Sequence, residues 1–177
     1  QDVAHPAFGK LFVETELLAE TSTLLCHRRP RSPEEQPAWA FHSVALEGPL
    51  QGPLEWETDR ARFLGRGRTA AAPVALDGRA LSGTTGIVLD PIVSLRLRIR
   101  VAPGATIRLA FATGMAGSRE ITEALARKYH DTAAAPRTFA LAATHAESRL
   151  LHLGVSAEDA VLFERLASRV LGADNSL

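Results

Sequence analysis

The stretch at residues 93–111 constrains the fold more than any other. Val93, Leu95, Leu97, Ile99 and Val101 are apolar, while Ser94, Arg96, Arg98 and Arg100 between them are polar. At a period of two, a strand built from these residues has one apolar face and one lined by guanidinium groups. Ala102, Pro103, Gly104, Ala105 and Thr106 supply turn chemistry, and Ile107, Leu109 and Phe111 then resume the alternation. The pattern predicts a β-hairpin on the core of a sheet protein. After Gly114 to Ser118 the spacing becomes helical, so the chain is expected to be β first and α afterwards.

Earlier segments extend the β pattern. Leu11, Val13, Thr15 and Leu17 alternate with Phe12, Glu14 and Glu16, and His5, Pro6, Ala7 and Phe8 form an extended approach, because a residue before proline avoids the helical region. Residues 23–27 read as a second strand, ended by a charged loop holding Pro30 and Pro33. Residues 39–47 read as a third with apolar residues on both faces, which suits a strand inside two stacked sheets. Leu54 to Asp59 alternates again, with Glu55, Glu57 and Asp59 on one face. Short strands at this spacing, separated by glycine and proline turns, point to an all-β sandwich and away from βαβ units.

The helical part carries clear punctuation. Ser118 can cap a helix bearing Ile121, Leu125 and Tyr129; Pro136 suits the first turn of a second, with Phe139, Ala143, Ala146, Leu150 and Leu153 on one stripe. Gly154 ends that helix. Ser156 and Asp159 resemble a capping box for a third helix, whose apolar side is Leu162, Phe163, Leu166 and Val170, before Gly172. The resulting fold class is a β-sandwich followed by an α-helical part: mainly β plus three C-terminal helices, with a boundary between residues 117 and 118.

Composition excludes several functions. Twenty basic and twenty acidic residues cancel among 177, so charge gives no footprint for nucleic acid or an anionic membrane surface. Cys26 is the lone cysteine, which excludes an intrachain disulfide and suits a reducing compartment. No apolar run approaches a membrane span and no leader pattern is present, so neither spanning nor export is expected. Gln1 and the short tail after the last helix suggest that both ends are cut.

Residues with chemical potential each have a plainer alternative. Glu55, Glu57 and Asp59 could do acid/base work from one strand face, or form an outer face paired with the Arg96, Arg98, Arg100 row. His145 and His152 could share a helix face, but no third ligand accompanies them, so no metal site is expected. Gly65, Arg66, Gly67 and Arg68 could bring guanidinium groups and free amides around a phosphate or sugar hydroxyls, or form an exposed loop. Trp39, Phe41, Trp56 and Phe63 could stack on sugar rings or belong to the core. No cofactor motif appears.

Several strings together resemble a known family: His5-Pro6-Ala7-Phe8-Gly9-Lys10-Leu11-Phe12-Val13-Glu14-Thr15-Glu16, then Glu57-Thr58-Asp59-Arg60-Ala61-Arg62-Phe63-Leu64-Gly65-Arg66-Gly67-Arg68, then Leu89-Asp90-Pro91-Ile92, then Leu153-Gly154-Val155-Ser156 and Leu166-Ala167-Ser168-Arg169. They are similar to the phosphorylase-like region of bacterial cyclic β-1,2-glucan synthases, which belongs with the cellobiose and chitobiose phosphorylases. The resemblance implies part of an antiparallel β-supersandwich at residues 1–117 and linker helices at residues 118–177. These would lead to an (α/α) toroid carrying the catalytic aspartate, with phosphate as the attacking group. It implies a non-catalytic scaffold segment, inactive by itself, with no catalytic residue, metal or cofactor of its own. The implied partners are β-glucan or oligosaccharide and phosphate through the parent enzyme, the toroid of the same parent, and a second subunit, with no nucleic acid and no direct membrane contact. The implied location is the cytoplasmic side of the inner membrane, within a membrane-anchored parent. Arg62, Phe63, Gly65, Arg66, Gly67 and Arg68 are the expected substrate-side residues. The competing reading is a free-standing carbohydrate-binding β-sandwich.

Overall fold

The computed structural model describes residues 9–30 and 32–172, so the extended approach expected at residues 5–8 and the tail at residues 173–177 lie outside the described residues. Two compact units divide the chain, residues 1–134 and 135–177.

The first unit is built on an antiparallel sheet of five strands, ordered β5-β1-β2-β3-β7, and a second pair, β4-β6. The strands are β1 (Val13–Leu18), β2 (Thr23–Arg28), β3 (Ala38–Leu46), β4 (Glu55–Asp59), β5 (Gly86–Ile87), β6 (Pro91–Arg96) and β7 (Leu109–Ala116). Adjacent leucines show why β2 is central. Leu24 and Leu25 are 0% and 1% exposed, and successive residues of a strand point to opposite faces, so both faces of this sheet are covered. On Leu25's side, Phe41 and Ala126 complete a buried cluster, with Leu18, Trp39, Ala112, Leu125 and Tyr129 packed around it. Burying a side chain such as Leu25 stabilises the fold by about 1.5–3 kcal/mol.

The helix on that face is α2 (Arg119–His130), which follows the short α1 (Arg60–Leu64). Ser118 caps it as expected, its Oγ accepting from the Ile121 amide at 3.3 Å. Arg119 ties the helix to β1 through two hydrogen bonds to Glu16, at 2.8 and 3.0 Å, and to Glu123 at 2.6 Å. The expected stripe is shifted by one position at its start: Ile121 is 56% exposed, and Thr122 and Ala126 are the fully buried pair. Thr122 fits there because its hydroxyl donates to the Ser118 carbonyl at 2.8 Å.

The opposite face meets the β4-β6 pair through hydroxyl groups. Thr15 Oγ1 lies 3.1 Å from both Thr58 Oγ1 and the Gly86 carbonyl, and Thr58 Oγ1 donates to the Thr84 carbonyl at 2.8 Å. Thr15 and Thr58 are both buried.

The expected hairpin at residues 93–111 does not form. β6 pairs antiparallel with β4, and β7 pairs antiparallel with β3. The turn itself is present, with the Ala105 amide donating to Ala102 O at 3.0 Å, but the chain around it passes between sheets. Alternation specifies which face is apolar, not which strand lies alongside. The partner is chosen by chemistry: β4 offers Glu55 opposite Arg96, while β3 offers Phe41 opposite Gly114.

In the second unit, α3 (Ala134–Leu153) and α4 (Ala157–Leu171) appear where expected. α3 ends with Gly154 N donating to Leu151 O and Val155 N to Leu150 O, and the capping box of Ser156 and Asp159 is complete. Phe139 and Leu153 on α3, and Leu162, Phe163, Leu166 and Val170 on α4, are all more than half exposed.

A β-carbon on Gly114 would sit 2.5 Å from Phe41 Cε1, inside the buried cluster. Gly114→Ala is expected to destabilise the fold by about 1–3 kcal/mol through overpacking. Urea denaturation monitored by tryptophan fluorescence measures it.

Candidate functional site

The acidic row of β4 leads directly into the glycine-spaced arginines, and the structure gives each member a distinct position. Glu55 faces Arg96, which hydrogen bonds to it and to the carbonyls of Ala75 and Arg79. Arg98 approaches Glu55 at 3.4 Å, and the Leu81 amide donates to it at 2.8 Å. The Leu81 amide and Arg96 together hold the Glu55 carboxyl below its ordinary value. The expected pairing of the acidic and arginine rows thus holds at Glu55, Arg96 and Arg98.

Glu57 is 1% exposed. One carboxylate oxygen accepts from the backbone amides of Thr58 and Asp59, each at 3.0 Å, and the other accepts from the Ser82 hydroxyl. Burial alone would push this carboxyl up; the hydrogen bonds from Ser82, Asp59 and Thr58 outweigh it, and the group lies below its ordinary value. Asp59 caps α1, its Oδ1 accepting from Ala61 N at 2.8 Å. These carboxylates are therefore held by donors and do not form an open acid/base pair.

Asp59 and Glu57 fix the start of α1, which carries Arg62 and Phe63 and ends at Gly65. The backbone there has φ +81°, and a β-carbon would lie 2.9 Å from Val74, so glycine is required by both conformation and space. Arg68 turns back to pair with Asp77 at 2.6 Å and to reach the Ala72 carbonyl at 3.3 Å. Arg62 lies 3.6 Å from Asp59. Arg66 and Gly67 are exposed and Phe63 is half-buried. The expected substrate-side residues therefore form one continuous turn, in which Arg68 is committed to an internal ion pair and Arg66 projects outward.

The four aromatic residues do not form one platform. Trp39 stacks on His27 at 4.5 Å and lies 5.7 Å from the Arg119 guanidinium; Phe41 is in the core; the Trp56 indole nitrogen is buried. Burial pushes the Cys26 thiol up to about 11, so it is no thiolate nucleophile at neutral pH. Among the described residues no group of three or more histidine, cysteine or acidic side chains could hold a metal ion, and no helix is long and apolar enough to cross a membrane. What the sequence missed is the burial of Glu57. The side chain that satisfies it, Ser82, lies 25 positions downstream, where no local pattern points to it.

The antiparallel sheets followed by helices set the fold class, mainly β with C-terminal helices. The profile of the glycosyl hydrolase 94 supersandwich domain matches residues 1–132, and the chain belongs to that family. Within it, the chain is 36% identical over 182 aligned positions to the cyclic beta-(1,2)-glucan synthase NdvB of Rhizobium meliloti (strain 1021). That alignment takes in 99% of this chain and 6% of the relative, so the chain spans a small fraction of the protein it matches.

Because the Glu57 carboxyl is lowered on folding, its stabilising contribution is full above the ordinary carboxylate range and is lost as pH falls through the depressed folded value. Glu57→Ala is expected to cost about 2–3 kcal/mol at neutral pH, from lost charge-assisted hydrogen bonds. The gap between wild type and variant should narrow on acidification, as measured by urea denaturation at neutral and acid pH.

Proposed function

We propose that the chain is a non-catalytic segment of a cyclic β-1,2-glucan synthase, serving as scaffold for a phosphorylase-like module and as a glucan- or phosphate-side contact. The observation that carries this is the 36% identity to such a synthase along 99% of the chain. The engagement of Glu55, Glu57 and Asp59 by internal donors supports the non-catalytic role, since an inverting mechanism needs a carboxyl group free to protonate the leaving oxygen. The reaction itself would then occur in the toroid of the parent, with residues 118–177 as the linker towards it. A synthase of this kind would be anchored in the inner membrane with the segment on the cytoplasmic side.

Within this reading Arg66 is the contact residue. Its neighbour Arg68 holds the turn closed through Asp77, and Gly67, with open space beside its α-carbon, lets the backbone approach a ligand closely. An outward guanidinium on a fixed turn suits a phosphate or a cluster of sugar hydroxyls.

The test uses a complete synthase carrying this segment. Arg66→Ala is expected to raise the KM for glucan or phosphate about tenfold, equivalent to one charge-assisted hydrogen bond, and to change the distribution of glucan sizes. Unchanged kinetics and product sizes would remove Arg66 from the function. The chain by itself, incubated with β-1,2-glucan and phosphate, is expected to release no sugar phosphate; turnover would overturn the non-catalytic role.

A further inference from the structure

A pocket of about 460 Å³ lies between α2 and the sheet, within the range of about 300–1,000 Å³ usual for ligand sites. Its inner walls are Phe41, Leu125 and Tyr129, and Ala112 and Gly114 line it along β7. The space exists because β7 turns only small side chains towards α2: Ala112 packs on the cluster that holds Ala126, and alternation places Ala110 and Gly114 on the same face. One cation borders it. Lys128 Nζ lies 5.3 Å from the centre of the Tyr129 ring, is exposed, and forms no ion pair among the described residues.

The pocket opens at the edge of the sheet, where Thr113 and Met115 complete its lining. The register shows what the edge offers there. The Glu47 amide donates to Arg108 O at 2.9 Å, continuing the antiparallel pairing in which Ala45 faces Ala110 and Ser43 faces Ala112. Hydrogen-bonded pairs alternate along such a ladder, so Leu109, Phe111, Thr113 and Met115 direct their N–H and C=O groups away from β3. The eight residues of β7 carry no charge and no proline, the usual means of blunting an edge.

We propose that the pocket and the edge beside it form a docking groove for an extended peptide segment of another protein, bearing one large apolar side chain and an acidic residue two positions later. The peptide runs antiparallel to β7 and exchanges backbone hydrogen bonds with Leu109, Phe111 and Thr113. Its large side chain, opposite Ala112, enters the pocket beside Leu125 and Tyr129. Positions two apart on a strand share a face, so the acid opposite Ala110 lies on the side of Lys128. Main-chain bonds supply affinity in such strand addition, and the pocket selects the side chain. A free apolar acid could fill the pocket and meet the cation, but it would leave the outward amides and carbonyls unpaired; a peptide satisfies all three features. The groove is separate from the arginine turn and independent of any glucan contact.

The probe is an acetylated, amidated heptapeptide, Val-Thr-Phe-Val-Glu-Val-Thr, titrated calorimetrically into the whole chain. Saturable binding of one peptide per chain is expected. Replacing its phenylalanine with alanine should weaken binding at least about tenfold, through loss of the pocketed ring. Methylating the amide nitrogens of its second, fourth and sixth residues, which face β7 in this register, should weaken it at least about tenfold as well. Replacing its glutamate with lysine should weaken it about threefold, and Lys128→Glu, an exposed substitution that leaves the circular dichroism spectrum unchanged, should make the lysine peptide the tighter ligand. No saturable binding up to about 1 mM, an alanine peptide that binds as well as its parent, or a preference that Lys128→Glu does not reverse would each overturn the proposal. A methylated peptide of undiminished affinity would overturn it too, since the pocket would then be filled without strand addition.

Discussion

A carboxylate withdrawn from water organises the polar half of this fold. Among the described residues no cation pairs with Glu57; its charge is spread over two backbone amides and a serine hydroxyl. Isolated ions are costly to bury, and they persist in protein interiors when hydrogen bonds replace the lost hydration. Here the replacement comes from two directions. Thr58 and Asp59 belong to the end of β4, while Ser82 belongs to the connection that returns towards β5. The same side chain therefore fastens that connection to the strand and fixes the backbone from which α1 departs. Leu81 N on Glu55, the Thr84 carbonyl on Thr58 and the Arg79 carbonyl on Arg96 continue the fastening on either side.

The arginine turn depends on this arrangement. Its entry is fixed by Asp59 at the cap of α1, its exit by Arg68 on Asp77, and its bend by the close approach of Gly65 to Val74. A loop secured at both ends presents an outward guanidinium at low entropic cost, because ordering has occurred during folding and not at the moment of binding. Such pre-organisation is what a scaffold domain can contribute to a reaction carried out by another part of an enzyme.

Much of this architecture was legible in the residues. The order of strands followed by helices, the Ser118 cap, the Ser156–Asp159 box and the end of α3 at Gly154 all rest on local chemistry that acts within a few residues. Strand partners were less legible, because a period of two records the burial of faces and says nothing of neighbours. The residues 97–108 kept the right alternation and turn, yet they bridge two sheets. The acidic row illustrates the same limit at a site. Three carboxylates at alternate positions look equivalent in sequence, but Glu55 meets arginines, Glu57 is enclosed by hydroxyl and amide donors, and Asp59 ends the strand by capping a helix. Only residues distant in sequence distinguish them.

The threonine seam between the two sheets has a further consequence. Thr15, Thr58 and the Thr84 carbonyl join the layers through directional bonds, where most sandwiches rely on interlocking aliphatic groups. Greasy layers can slide by small steps as side chains change rotamer, whereas a hydroxyl relay has one satisfied alignment and loses its bonds on translation. The sandwich is thereby keyed against shear at that point, and it can transmit a displacement of α1 as a rigid movement instead of absorbing it.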